Sequence, residues 1–463
     1  MSRLVAAAEA RFGAVVAALA VLAAVQGLAL GFVIELQTSD SPGYTAAARA
    51  LAHGGYSTPL GNNVSPDLLL QGGAQPTPLA DVDITGLRLP ASVRNAHERQ
   101  TMRTPAYPAL LAITGGGEER PARFFLYAVQ AFLAAASVVL LAFLARRLFG
   151  PRVALLAAAA YAVDPWTKRY VTLVMTETLA AFLVVATFYA FVRAWQGSSP
   201  RWWATAGGLA ALLVLTRPAF ALALPLLVLA PLTRRQFVGA AATAATAAAL
   251  LVPWLAWTDA ATGRPVLSSF GEGWNLLLAA HGEGRGTSAG ELAHDPAYLR
   301  DFESVHRFAP SAAELARDPN AHPHYLARAD AEQRRIAVRL LRRRISAEPG
   351  EVAWETAFRG YVLWAVHTDW FQPANRAALL VLRLADWITL LLALAGAAVG
   401  LARRGPARGL AIFLAAFTVL NAVHHVEARY GIPLRGLVLM LSALGAVALW
   451  ERATSRGTRR STA

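Results

Sequence analysis

Residues 123–145 read RFFLYAVQAFLAAASVVLLAFLA and run directly into Arg146 and Arg147. An apolar run of this length crosses a hydrocarbon core about 30 Å thick as a helix, and basic residues at its end mark a membrane–water boundary. The pattern recurs along the chain. Further apolar blocks lie at 13–34, 153–163, 171–192, 202–216, 218–232, 237–257, 376–401, 409–426 and 431–450. The expected architecture is an all-α polytopic membrane protein with about ten spans, residues 1–463 forming one membrane domain. The first block is longer than the core of a secretory signal and carries no convincing cleavage site, so it is expected to be retained.

Composition agrees with the blocks. Of 463 residues, 56% are hydrophobic and 16% charged, with a mean hydropathy of +0.41; soluble domains average about 45–50% and about 25%. The net charge is +14, and Lys168 is the only lysine among 43 basic residues. Nucleic-acid binding requires a basic soluble face, whereas these arginines are scattered between apolar blocks, so no nucleic-acid partner is expected. The chain lacks cysteine, which excludes disulfides, a thiol nucleophile and thiolate metal ligation.

Arginine placement sets the expected orientation. With the N-terminus inside, every short inner connection is basic, including Arg146, Arg147, Arg152, Arg193, Arg201, Arg234, Arg235, Arg403, Arg404 and Arg408. Of the 29 acidic residues, 8 fall in segment 35–122 and 15 in segment 258–375, which become the two large outer loops. The inner connections are too short for a nucleotide-binding βαβ unit, and no phosphate-binding glycine motif follows a strand pattern. Chemistry is therefore expected in the outer loops and at the helix ends facing them, on a multi-pass protein of the cytoplasmic membrane with both termini cytoplasmic.

Several residues are candidates there. Asp40 follows the first span at headgroup depth, a position that suits a general base and equally suits a helix N-cap. Residues 57–101, rich in Pro, Gly and Asn, read as a flexible loop able to cover a site. Arg103-Thr104-Pro105-Ala106-Tyr107-Pro108 closes that segment, and Arg103 suits either a bound phosphate or a lipid headgroup. Glu177, inside an apolar stretch, is a functional candidate by default, with Lys168, Arg169 or another arginine as its expected partner. Arg217-Pro218 separates two short blocks whose junction dips toward the membrane, where the guanidinium suits an anion. His424, His425, Glu427, Arg429 and Tyr430 crowd one turn. Adjacent histidines project in different directions, which favours polar substrate contacts over a zinc site. Arg383 and Asp386 are expected to pair with each other, and Ala331–Ile345 to lie as a helix along the outer membrane surface.

Taken in order, these motifs resemble the GT-C lipid-linked glycosyltransferases, in the branch of the aminoarabinose transferases of lipid A and the protein O-mannosyltransferases. Asp40-x3-Tyr44-x3-Ala48-Arg49-x-Leu51 with Gly54-Gly55-Tyr56 is similar to the family's first-loop stretch, and Arg103-x-Pro105-x-Tyr107-Pro108 to the motif closing that loop. Thr176-Glu177-Thr178-Leu179, Thr216-Arg217-Pro218 and Arg429-Tyr430-x2-Pro433 follow in family order. The resemblance implies transfer of a sugar, with inversion, from a polyprenyl-phosphate donor to the hydroxyl of a lipid, glycan or protein acceptor at the exoplasmic face. Asp40 would be the base; Arg103, Arg217 and Arg429 would hold the phosphate. Tyr44, Tyr107, Lys168, Arg169, Glu177, His424, His425 and Tyr430 would line the donor and substrate site. Ser41 stands where many members have a second acidic residue, and Met102 where the lipid A enzymes have Glu. These departures leave a divalent cation and the acceptor open; no metal ligand is assigned. The resemblance also implies that a separate C-terminal acceptor domain is missing. The competing reading is a polytopic lipid or solute transporter or flippase, which predicts two related halves that the sequence does not display.

Overall fold

An α-helix lies within each of the ten apolar blocks in the computed structural model, which describes residues 9–33, 40–59, 96–116, 120–282, 292, 295–305, 309–365, 376–403 and 405–460. The first span is α1 (Phe12–Val33). After it come α2 (Ser41–Ala52), β1 (Ser57–Pro59), β2 (His97–Arg99) and α3 (Ala106–Ile113). Then α4 (Arg120–Phe149), α5 (Pro151–Val163), α6 (Pro165–Arg169), α7 (Glu177–Gly197), α8 (Pro200–Val214), α9 (Ala223–Leu232) and α10 (Phe237–Thr262) run through the bundle. The second large segment holds α11 (Glu272–Ala280), α12 (Pro296–Glu303), α13 (Ala312–Arg317), α14 (Ala321–Ala347) and α15 (Pro349–Ala365). The chain returns through α16 (Arg376–Ala402), α17 (Pro406–Ala422) and α18 (Arg435–Arg460).

Six described helices are long and apolar enough to cross a membrane, within α1, α4, α7, α10, α16 and the stretch Ala428–Ser455; α5, α17 and Pro218–Leu232 are shorter apolar helices. Their outward faces are hydrophobic. On α16, Leu380, Val381, Leu384, Ile388, Leu391 and Leu394 are all exposed, as expected where the surrounding medium is lipid. The inner face of α16 packs on α18 through glycine: a Cβ on Gly396 would strike the Leu441 carbonyl, and one on Gly445 the Leu392 carbonyl. Small residues at both positions let the two backbones approach closely.

The first two long spans, α1 and α4, run antiparallel. Phe12 at the start of α1 meets Phe143 near the end of α4, and Gly31 meets Tyr127 near its start. One end of the bundle is belted by arginine. There Arg146 lies over Phe12, Arg234 over Trp195 and Arg403 over Phe149, and Arg152 pairs with Glu9. The opposite end receives both large segments.

Three expectations need correction. Glu177 does not lie inside a helix beginning at 171: a 3-10 turn spans Tyr170–Thr172, and Glu177 opens α7, where a carboxylate is favoured by the helix dipole. Within 57–101 the described ends are not loop, because Ser57, Thr58 and Pro59 pair antiparallel with Arg99, Glu98 and His97; residues 60–95 lie outside the described residues. Asp386 does not pair with Arg383. Arg435, the first residue of α18, donates to Asp164 Oδ1 at 3.0 Å and to Asp386 Oδ1 at 2.6 Å, and Trp166 Nε1 donates to the same Asp386 oxygen at 3.2 Å. Arg383 faces outward; a buried tertiary partner outcompetes an exposed i,i+3 neighbour.

The helix expected over 331–345 is the latter part of α14. It buries Ala331, Gln333 and Ala337, with Ala337 against Leu277 and Leu278 of α11, and leaves Arg335, Arg339, Arg342 and Arg343 exposed. The N-terminus of α11 is capped from α14: Asp330 Oδ1 accepts the backbone N–H of Gly271 at 2.8 Å and of Gly273 at 2.9 Å. Burial raises the Asp330 carboxyl to about 6 even so.

Candidate active site

Asp40 occupies the N-cap position of α2, yet its side chain makes no capping hydrogen bond. Both carboxylate oxygens are engaged elsewhere. Arg103 Nη2 donates to Oδ1 and Arg429 Nη1 to Oδ2, each at 2.7 Å, so the position read from sequence as either cap or site is spent on guanidinium groups. Burial would raise the Asp40 carboxyl; Arg103 and Arg429 outweigh it and hold the group well below the ordinary carboxylate range.

Arg103 is aimed by its own segment. Gln100 Oε1 accepts the backbone N–H of Met102 at 2.8 Å and of Arg103 at 3.0 Å, folding the chain into a tight turn, and Tyr56 donates its hydroxyl to the Arg103 carbonyl at 2.8 Å. The guanidinium lies 4.7 Å over the Tyr44 ring, which meets Tyr107 edge-on at 5.2 Å. Tyr44, one turn after Asp40 on α2, is thus a floor shared by the first-loop motif and the Arg-Pro-Pro motif.

The same segment is tied to the Arg217 turn. The Ala106 N–H donates to the Leu215 carbonyl at 3.1 Å, just after α8 ends. Arg217 then reaches Glu177 Oε1 at 2.7 Å and Thr176 Oγ1 at 3.2 Å. Ser41, beside Asp40, donates to the Val174 carbonyl at 3.3 Å, drawing α2 toward the start of α7. Tyr430 closes the group from the other side: the Arg217 guanidinium lies 5.4 Å and the Arg429 guanidinium 5.8 Å from its ring. Glu427 grips Arg429 through its Nε and through Nη2 at 3.2 Å, and burial of that carboxylate is outweighed by Arg429, which lowers it.

Three guanidinium groups and three carboxylates therefore meet at the bundle end that carries the large segments. Arg103 is the most open, its side chain 24% exposed; Glu177 is 1% exposed. Chemically, such a cluster can hold a phosphate by charge-assisted hydrogen bonds and can accept a proton at a carboxylate. Among the described residues no group of three or more His, Asp or Glu side chains is arranged to hold a metal ion.

Not every expected residue joins it. Glu177 is met by Arg217, while Lys168 is buried with Nζ 3.3 Å from the Tyr161 carbonyl and 5.2 Å from that ring. Burial lowers the Lys168 ammonium to about 8 against the opposing pull of Asp164. Arg169 ends α6. His424 Nδ1 bonds the Leu420 carbonyl in the last turn of α17 at 2.8 Å, whereas His425 turns inward, 3.6 Å from Glu427 and beside Trp274. Sequence reasoning passed over Gln100 altogether, and named Glu427 in the crowded turn and Tyr56 in the first-loop motif without giving either a role. For Glu427 a signal existed, an acid two residues before Arg429 in an extended stretch.

Residues 109–257 match the family described as dolichyl-phosphate-mannose-protein mannosyltransferase. No curated protein sequence matches the chain. The apo oligosaccharyltransferase of Archaeoglobus fulgidus superposes with a TM-score of 0.50 at 15% identity, over 96% of this chain and 52% of that one. The complex of that organism's oligosaccharyltransferase with an inhibitory peptide and a dolichol-phosphate gives 0.49 at 15% identity, over 96% and 51%. ArnT from Cupriavidus metallidurans bound to undecaprenyl phosphate gives 0.36 at 14% identity, over 95% and 77%. The chain spans about half the length of the oligosaccharyltransferase it matches. The likeness to the oligosaccharyltransferase is one of fold, an all-α polytopic membrane architecture, and the likeness to the mannosyltransferase family is confined to residues 109–257.

Proposed function

We propose that this chain is a membrane glycosyltransferase that moves a sugar from a polyprenyl-phosphate donor to an acceptor hydroxyl at the exoplasmic face. The observation that carries the reading is the carboxylate of Asp40 held between Arg103 and Arg429, with Arg217 across the Tyr430 ring. A lipid-linked donor presents its phosphate at headgroup depth beside the anomeric carbon, and these groups match both needs. The mannosyltransferase family matched over residues 109–257 supports a phosphate-linked polyprenyl donor, and the arginine belt at the opposite end supports placing that end in the cytoplasm.

The reaction is a single displacement. The acceptor oxygen attacks the anomeric carbon while the bond from that carbon to the phosphate oxygen breaks, the electron pair leaving on polyprenyl phosphate. The acceptor proton passes to Asp40, and the anomeric centre inverts. Leaving converts a singly charged diester into a more highly charged monoester, so arginines aimed at the phosphate stabilise the transition state more than the bound donor. Tyr44 and Tyr107 would support Arg103, and Glu427 would orient Arg429.

The test is turnover by the purified chain supplied with polyprenyl-phosphate-linked sugars and membrane extract as the acceptor source. Wild type is expected to release polyprenyl phosphate; Asp40→Asn is expected to fold and to lose at least about a hundredfold, the lower range for a positioned general base. Undiminished release by Asp40→Asn removes Asp40 from the chemistry.

A further inference from the structure

In the resting site every arginine assigned to the donor is already occupied. Arg103 and Arg429 bond the two oxygens of Asp40, Arg429 also holds Glu427, and Arg217 bonds Glu177. Three positive charges stand against three negative ones, so the cluster as a whole offers a phosphate little net attraction, and each guanidinium reaches an incoming oxygen only by yielding one from a carboxylate.

Resting on the functional reading above, we propose that the donor phosphate binds by exchange: it takes the guanidinium groups of Arg103 and Arg429 from Asp40, and Arg217 from Glu177, so that donor binding itself frees the catalytic carboxylate. The ion pairs are a mask on the base. While masked, Asp40 is a weak proton acceptor, because both oxygens carry charge-assisted hydrogen bonds. Once the guanidinium groups move to the phosphate, Asp40 loses both charge-assisted hydrogen bonds, burial of its side chain, 12% exposed, is less strongly opposed, and it becomes the stronger base. The proton is then withdrawn from an acceptor only when a donor is in place. Arg103 is the most open of the three and lies on the Tyr44 ring, and Arg217 and Arg429 flank Tyr430. Each can pivot on an aromatic face that keeps its charge partly compensated.

The consequence runs against ordinary expectation for a catalytic residue. Removing a carboxylate should improve donor binding, since the arginine no longer has to leave a partner. A binding-competent state populated about one time in ten lowers apparent affinity about tenfold, so abolishing the competition should restore on the order of that factor. The experiment measures binding of sugar-free polyprenyl phosphate, with polyprenol of equal length as the uncharged control, to the full chain in nanodiscs. Wild type, Asp40→Asn and Glu177→Gln are compared; the two variants unmask different arginines, so the test survives misfolding of either one. Binding of polyprenyl phosphate tightened about tenfold in a folded variant, with polyprenol unchanged, supports exchange. Binding that is unchanged or weaker in a folded variant overturns it while leaving the donor reading intact. Wild-type protein that binds polyprenyl phosphate no better than polyprenol overturns the donor reading, and the exchange with it.

Discussion

Arg217→Ala separates what the Arg217–Glu177 pair does for the fold from what Arg217 does for the donor. Glu177 is 1% exposed and Arg217 14%, and one 2.7 Å bond joins them. Deleting the guanidinium leaves Glu177 Oε1 without its charged partner, and among the described residues Oε2 has the Thr176 hydroxyl at 3.4 Å. Breaking a buried pair from one side typically costs about 3–5 kcal/mol, whereas replacing both members is often close to neutral. Arg217→Ala should therefore destabilise the chain by about 3–5 kcal/mol, and Arg217→Ala combined with Glu177→Gln should recover most of that loss. Donor affinity should behave differently. A hydrogen bond to a charged group is worth about 1.5–3 kcal/mol, or roughly tenfold to a hundredfold in donor KM, and that loss should persist in the double variant because the guanidinium is still missing. The assay is equilibrium unfolding in mixed micelles alongside donor KM for wild type, both single variants and the double. A single variant costing under about 1 kcal/mol refutes the burial argument; a double variant with wild-type donor KM refutes a direct role for Arg217.

Two further outcomes test the rest of the fold. Arg435→Leu strands the buried Asp164 and Asp386 carboxylates and should destabilise by at least about 3 kcal/mol, while adding Asp164→Asn and Asp386→Leu should restore most of it, read by the same unfolding assay. Asp330 is raised from 3.8 to about 6, so the folded chain holds its proton across a window where the unfolded chain has lost it. Its contribution to stability therefore falls as pH rises from about 4 to 6, by up to about 1.4 kcal/mol per pH unit, and Asp330→Asn, which keeps an oxygen for the two N–H groups, should flatten that slope; an unchanged slope assigns the pH dependence to other groups.

The helices were legible because the hydrophobic blocks are long and arginines punctuate their ends. The residues that meet at the site were also legible one by one, since Asp40, Arg103, Glu177, Arg217 and Arg429 are charges set beside spans where charge is costly. Their partners were not. Asp386 has an arginine three residues away in sequence and pairs instead with Arg435, 49 positions on, because burial decides which ion pair forms and burial is a tertiary property. Glu177 passed over the basic residues at 168 and 169 for Arg217 for the same reason: α6 buries Lys168 against Tyr161. The His322–Glu98 pair, 2.7 Å apart and 1% exposed on both sides, joins segments 224 positions apart and left no local pattern at all. At His424 and His425, adjacency gave two candidates, and the irregular chain after α17 turns only the second toward Glu427.

The most direct test of the account is the structure of this chain with polyprenyl phosphate bound. Phosphate oxygens are expected within hydrogen-bonding distance of Arg103, Arg217 and Arg429, with Asp40 released from both guanidinium groups and facing the space where an acceptor hydroxyl would sit. A phosphate seated at the arginine-belted opposite end, with Asp40 still bonded to Arg103 and Arg429, would contradict it.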